Sequence, residues 1–516
     1  MIDFQGNAKQ LRHIWSNCVG AGRANEGLRA DWQQQLKTVV NACGFRYLRF
    51  HGLLHDDMHA YTEENGVPRY NFQYIDKLFD YMLDCGIRPF VEFGFLPKAL
   101  AGGDATQFWW KGNVEPPEDY GKWAALIGEL VRHWQKRYGK EETEKWYYEV
   151  WNEPNLRPFW AGTKTQYFEL YKATVKAVKE VDEKLRVGGP ATSNFVPDER
   201  FAGEVENVSC QATFRVEDLD SLEWQGVWIH DFLAYCEREK LSVDFVSTHP
   251  YPTDFALDGH GETSGRSRYK DSLHDDILGL KKAVANSAYP DAEIHLTEWS
   301  SSPTSRDYSH DYLPAAAYVM RSNLQCANLV DSLSYWVFTD VFEELGAGPK
   351  AFHGGFGMLT LQGVKKPVFH AYRMLNELGD EELEQGEGYI FTRKGERLAA
   401  AFYHYPEDYK GTVPMSVYPD QSVARECQAF GTEKPYHFVV SGLMPGDTYT
   451  LSILHKDDIA VELWNRMGAP AEPDREQEKM LRMQGEALER RCFTVDEEGK
   501  LTLDFSLDSW SIAQLG

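Results

Sequence analysis

Eight short runs rich in β-branched and aromatic residues recur along the first two-thirds of the chain, each followed by a longer amphipathic stretch. That alternation leaves few folds open. The runs are His13–Cys18, Phe45–Phe50, Arg88–Phe93, Trp146–Trp151, Leu185–Gly189, Val243–His249, Glu293–Trp299 and Ser332–Phe338. Helical patterns lie between them, over Asp31–Cys43, Glu118–Tyr138, Lys164–Lys184, Gly226–Lys240, Ser272–Asn286 and Asp311–Asn328. The clearest helix begins at Asn71, read as its N-cap. Phe72, Ile75, Leu78, Phe79, Met82 and Leu83 share one face, and Gly86 follows the end. Strands alternating with helices are parallel strands joined by crossovers. Eight such units between residues 14 and 338 predict a (β/α)₈ barrel with enlarged loops, closed by a helix over Pro367–Leu378. A doubly wound open sheet is the structural alternative. It wants a phosphate-binding glycine turn, and the nearest candidate, Gly20-Ala-Gly22-Arg-Ala-Asn25, has Asn where the third glycine belongs.

After about residue 380 the texture changes. Short strands at Gly388–Thr392, Arg397–His404, Tyr436–Val440, Thr448–Leu454 and Leu501–Phe505 are separated by Gly, Pro and Asp turns. They predict an antiparallel β-sandwich over 381–516, interrupted by a charged helical insert near 472–490. Residues 1–13, ahead of the 14–380 barrel, are expected to add an edge to that sandwich.

A chain of 516 residues has room for two to four domains. Acidic residues outnumber basic ones, 79 against 54, for a net charge of −25. Nucleic acid and anionic lipid each require a basic face, so neither is expected as a partner. No apolar run approaches a membrane span, and MIDFQGNAKQLRHIW lacks the basic and apolar regions of a secretory signal. The expected location is cytoplasmic, with thiols reduced. The eight cysteines (18, 43, 85, 210, 236, 326, 427 and 492) form no Cys-x-x-Cys pair. Aromatics make up 14% of the chain, enough to serve both as core and as flat faces for stacking on sugars.

Catalytic groups of such barrels lie at the carboxyl ends of strands. Those positions hold His51, Asn152, Glu153, His249, Tyr251, Glu298 and Trp336. Glu153 and Glu298, after strands 4 and 7, are expected to face each other across the barrel mouth. A carboxyl pair in an aromatic-lined pocket is what glycoside hydrolysis needs: one protonates the leaving oxygen, the other stabilises or attacks the oxocarbenium centre. Each residue also has a plainer reading. Glu153 could cap the next helix, Glu298 could be a solvated strand-end carboxylate, His249 could be a satisfied core histidine and Trp336 could be barrel core. Glu149, inside strand 4, is expected to point into the barrel or a salt bridge. His51, His55 and His59 recur every fourth residue beside Asp56 and Asp57, which invites a metal reading. Gly52 and the strand exit make a helix there improbable, so no metal is expected.

Trp-Asn-Glu-Pro-Asn at 151–155 with Thr-Glu-Trp at 297–299 resembles the retaining glycoside hydrolases whose acid/base and nucleophile follow strands 4 and 7. Further segments narrow the resemblance to glycoside hydrolase family 39, the β-xylosidases and α-L-iduronidases. They are Cys18-Val-Gly-Ala-Gly-Arg23, Phe45-Arg-Tyr-Leu-Arg-Phe-His-Gly-Leu-Leu54, Lys111-Gly-Asn-Val-Glu-Pro-Pro117, Ser247-Thr-His-Pro-Tyr-Pro252 and Tyr335-Trp-Val-Phe-Thr-Asp-Val-Phe-Glu-Glu344. Trp464-Asn-Arg-Met-Gly-Ala-Pro470 extends it into the sandwich.

The resemblance implies Glu153 as acid/base and Glu298 as nucleophile, with Asn152 on the sugar 2-OH. His51, His249 and Glu344 would hold other hydroxyls, although Glu343 competes for the last role. Tyr251 would lie near the nucleophile, Trp336 would form an aromatic wall, and Trp109 or Trp110 would reach the rim. One departure stands out: Ser300-Ser-Ser-Pro-Thr304 occupies the place of the family's usual aromatic, leaving Tyr308 as the nearest tyrosine. The resulting expectation is a retaining exo-β-glycosidase without cofactor, a β-xylosidase acting on xylo-oligosaccharides. The alternatives are another exo-glycosidase (arabinosidase, glucosidase or iduronidase-like) or a catalytically inactive carbohydrate-binding protein. The loop after strand 6 lacks the lysine that the iduronidase branch supplies, so a neutral pentopyranose is expected, with Arg306 and Lys350 the cations that could overturn this. A homo-oligomer built on the sandwich and its charged helix stays open.

Overall fold

The structure, a computed structural model, describes residues 1–156, 158–193, 228–257 and 263–516. Cys210 and the expected helix start at Gly226 lie outside these residues. Eight strands close into a barrel in sequential order. They are β1 (Cys18–Arg23), β2 (Tyr47–His51), β3 (Arg88–Phe93), β4 (Tyr147–Val150), β5 (Arg186–Ser193), β6 (Phe245–His249), β7 (Glu293–Trp299) and β8 (Ser332–Tyr335). Every neighbouring pair is parallel. Around them stand α1 (Ala30–Cys43), α2 (Gln73–Asp84), α3 (Tyr120–Tyr138), α4 (Lys164–Val181), α5 (Ile229–Glu239), α6 (Ser272–Ala285), α7 (Leu313–Cys326) and the closing helix α8 (Pro367–Asn376). Local chemistry sets several of these ends. Asp119 accepts from Gly121 and Lys122 at the start of α3, and Thr163 and Gln166 form a reciprocal capping box at the start of α4.

Two expectations need correcting. The first strand is not His13–Cys18: Ile14–Ser16 is a 3₁₀ turn buried beneath the barrel, and the strand starts at Cys18. An apolar-run criterion misses Cys18–Arg23 because its centre is Gly-Ala-Gly. Those small residues have a steric cause, since a Cβ at Gly20 would come within 2.5 Å of the Trp336 ring. The N-cap of α2 also falls one residue later than expected. Phe72 is the N-cap of α2, while Asn71 Oδ1 accepts from the Gln73 amide at 3.3 Å.

Beyond the barrel, a seven-stranded and a three-stranded sheet form the sandwich. Their inner faces share a core in which Tyr436 stacks on Phe505 and Phe402 meets Phe505 edge-on. Both sheets recruit the N-terminus. Ile2–Asp3 pairs with Lys434–Ser441, and Lys9–Gln10 pairs with Glu381–Gly386. The charged insert is a helix over Arg475–Gln484. His370 of α8 donates through Nε2 to the Gly485 carbonyl at 2.8 Å, tying the insert to the barrel. One continuous apolar core runs from the barrel helices to Trp464, Leu481, Trp510 and Ile512. A segment of the C-terminal region also abuts the loop after β7: the Ser416 amide donates to Asp307 Oδ1 at 2.7 Å, and Val417 bridges to Asp307. Among the described residues no helix is long and apolar enough to cross a membrane.

Candidate active site

Side chains alternate along a strand, so Arg49 and His51 of β2 point the same way, into the barrel mouth. Glu92 of β3 and Glu149 of β4 do likewise. Arg49 is fully buried and engages four groups. Nε donates to Glu149 at 2.6 Å, Nη1 to Glu298 at 3.2 Å and Nη2 to Asn152 Oδ1 at 2.8 Å, while Glu92 lies 3.1 Å from Nη2. A guanidinium fork suits this task because its donors are rigid and always charged. Expectation and structure agree on Glu149, which is inward-facing and ion-paired.

The eight expected site residues converge at this mouth. Glu153 and Glu298 are both buried, and a carboxylate oxygen of each lies with a ring nitrogen of His249 inside a 4.8 Å triangle. Tyr251 donates to Glu298 Oε1 at 2.6 Å. His249 Nδ1 meets Glu153 Oε1 at 2.9 Å, and its Nε2 meets Thr297 Oγ1 at 3.0 Å. Glu153 holds its place in the left-handed backbone region, with φ 46°, two residues after Trp151 at φ 74°. Non-glycine residues rarely stay there unless the surroundings impose it. Here the Glu153 amide is tied to the Ala191 carbonyl of β5 at 2.9 Å.

His51 donates through Nδ1 to the Glu92 carboxylate at 2.6 Å, and its ring lies 4.7 Å from that of Trp336. Glu344 reaches within 3.8 Å of His51 Nε2. Glu343 and Glu344 differ in their charged neighbours. Glu343 is paired with Arg23 at 2.9 Å and Arg29 at 3.0 Å, which leaves Glu344 facing the mouth. Trp110 is buried under the Arg23 guanidinium, while Trp109 stands 63% exposed at the rim, its amide on the Glu344 carbonyl. Tyr308 is buried against Tyr418, so it does not stand in for the aromatic expected after Glu298. Instead, Ser300 and Ser302 both bond His310 Nε2.

Electrostatics separate the two carboxyls. Burial, reinforced by the Glu298 charge, holds the Glu153 carboxyl well above the usual carboxylate range. Burial also raises Glu298, but Arg49, His51 and the Tyr251 hydrogen bond pull it back. Glu153 is therefore the member of the pair that keeps a proton. Burial and the neighbouring carboxylates push Glu344 well up, and burial with Arg49 pushes His249 well down. Glu153, His249 and Glu298 also offer one ligand atom each for a cation. Arg49 already supplies positive charge at Glu298, so a dication placed there would face a buried guanidinium. The histidines after β2 do not converge: His55 pairs with Asp57, and His59 ends a 3₁₀ turn.

Arg49, Glu92 and Thr297 are site-building residues that the sequence reading passed over. Arg49 and Glu92 carry a signal, since ionisable residues inside β2 and β3, like Glu149 inside β4, have no place in an apolar barrel core unless they meet; Thr297, an ordinary strand residue, carries none.

The sequence model of Glycosyl hydrolases family 39 matches residues 1–217 and 220–405. A β-xylosidase of Caldicellulosiruptor saccharolyticus is 34% identical over 98% of this chain and 95% of its own length. A β-xylosidase of Geobacillus stearothermophilus is 41% identical over 78% of this chain and 76% of its own. Among solved structures, a monomeric β-xylosidase from Caulobacter crescentus CB15 superimposes with a TM-score of 0.84 at 32% identity, covering all of this chain and 98% of that one. With the carboxyl pair in place at the mouth of an eight-stranded barrel, the chain belongs to glycosyl hydrolase family 39 and is a glycoside hydrolase.

Proposed function

We propose that the enzyme is a retaining exo-β-xylosidase, with Glu153 as general acid/base and Glu298 as nucleophile. The observation that carries this is the spacing of the carboxyl pair. Their oxygens approach within 4.8 Å, which supports direct attack. Retaining enzymes hold the groups ~5–5.5 Å apart, whereas inverting ones leave ~6.5–9.5 Å for an intervening water. The charge states favour the same roles. Protonated Glu153 can protonate the leaving oxygen while Glu298, steadied by Arg49 and Tyr251, attacks the anomeric carbon. Forming the ester removes the Glu298 charge. Glu153, having given up its proton, then deprotonates the incoming water.

The sugar is read from the walls. On this reading Asn152, held by Arg49, bonds the 2-OH, while Glu92-braced His51 and Glu344 bond further hydroxyls. A buried uronate would need a cationic partner. Arg49 is already committed, and Arg306 is turned onto the carbonyls of Ser305, Gly346 and Ala347. Glu344, whose carboxyl burial and neighbouring carboxylates push well up, offers no positive charge to a uronate but can hydrogen-bond a neutral hydroxyl. The named β-xylosidase relatives favour xylose. The test is proton NMR of the first-formed product, with kcat/KM measured on aryl β-xyloside, β-glucoside, α-L-arabinopyranoside and α-L-iduronide. A β-anomer of xylose with the β-xyloside preferred supports the reading, while an α-anomer or an iduronide preference overturns it.

A further inference from the structure

Among the described residues a single line of hydrogen bonds joins the guanidinium of Arg49 to the acid carboxyl, and the direction of each bond can be worked out. Glu149 is ion-paired with Arg49 at 2.6 Å, so it accepts and does not donate. Thr297 Oγ1 lies 2.8 Å from Glu149 Oε1 and has one hydrogen, which it gives to that carboxylate. Its oxygen can then only accept from His249 Nε2, 3.0 Å away. His249 must therefore carry a hydrogen on Nε2. Its Nδ1 faces Glu153 Oε1 at 2.9 Å, and that contact is bonded only while one proton lies on it.

From this wiring we infer that Glu149 and Thr297 are positioning residues: they lock His249 as its Nε2–H tautomer, and the bare Nδ1 holds the acid proton on Glu153. The inference rests on the assignment of Glu153 as the acid. It adds a cause for that residue's protonation besides burial and the Glu298 charge. When Glu153 delivers its proton, its carboxylate is left against a ring lone pair, an arrangement that makes it a stronger base toward the water of the second step. The charged and titratable groups facing this pair are Arg49, His51, Glu92, Glu149, Tyr251 and Glu298, with Glu344 further out. A neutral change at Thr297 leaves all of them in place. The burial of His249 and the charge of Arg49 both disfavour an imidazolium, which agrees with a proton sitting on the carboxyl.

Two measurements test this. In the resting wild-type enzyme labelled with [15N]histidine, the resonance lost in His249→Gln should show a protonated Nε2 and an unprotonated Nδ1 near neutral pH. An Nδ1–H tautomer or an imidazolium overturns the inference. The second uses Thr297→Val, which frees the ring to turn its hydrogen toward Glu153 and so favours the carboxylate. The basic limb of kcat/KM on a xylo-oligosaccharide should move down by about one pH unit. Thr297→Ser, which keeps the hydroxyl, should bring the limb back. A uniform loss of rate with the limb unmoved would make Thr297 merely structural and sink the proposal. The tautomer is read without turnover. It can thus fail while Glu153 remains the acid, and the acid role is judged separately by the leaving-group dependence of a Glu153 variant.

Discussion

At the scale of single residues, the division of labour between two chemically identical carboxyls comes from what each one touches. Glu298 meets a guanidinium and a phenol hydroxyl, whereas Glu153 meets a neutral ring and lies in a strained backbone conformation. Glu153→Ala should therefore lower kcat/KM about 10²–10⁴-fold on xylobiose, whose leaving oxygen needs a proton. On 2,4-dinitrophenyl β-xyloside, whose leaving group needs none, glycosylation should be nearly unaffected. Equal losses on both substrates would take Glu153 out of the acid role. Glu153 and Glu298 could be read from the chain because strand ends are marked by their apolar runs and by Pro154. Arg49 and Thr297 were harder, since their roles exist only through partners 100 and 148 residues away in sequence. Local patterning marks Arg49 as out of place in an apolar strand but does not say which residues it meets.

At the scale of elements, α8 does more than close the ring. Its N-cap Lys366 is fully buried between Asp311 at 2.7 Å and Asp340 at 3.0 Å, joining the regions that follow β7 and β8. One turn on, His370 spends Nε2 on Gly485 and leaves Nδ1 without a partner. Burial lowers its pKa from 6.5 to about 3. In the unfolded chain this ring binds a proton below pH 6.5, whereas the folded state resists until about pH 3, so stability falls as pH drops through that window. The full effect is on the order of 5 kcal/mol. His370→Gln, which retains a donor for Gly485, should flatten the decline of Tm between pH 6.5 and 4; an unchanged slope would place the acid sensitivity elsewhere. Element boundaries were mostly legible because caps and periodicity are local. β1 was not, because Gly20 answers to Trp336, more than 300 residues later in sequence.

At the scale of the whole molecule, barrel and sandwich share one apolar core through Trp464, Leu481, Trp510 and Ile512. A chain ending at residue 380 would leave that surface in water, at roughly 25 cal/mol for each Å² of apolar area. We predict that it does not give a stable barrel: circular dichroism should show no cooperative melt, and proteolysis should be rapid. A cooperative melt with retained activity would show instead that the barrel stands alone. The two chain termini are also interleaved. β1 must wait for β8 to close the ring, and Ile2–Asp3 must wait for Lys434–Ser441. On the ribosome these partners emerge in the opposite order from the one the fold would find convenient. The nascent chain carries an open-edged, unclosed sheet for most of its synthesis, and such edges invite association with other chains. A translating cell therefore meets this protein for most of its birth as an unfinished ring, and the large sheet of the sandwich stays split until Ile512–Leu515 arrives between Arg397–Tyr403 and Thr448–Leu454.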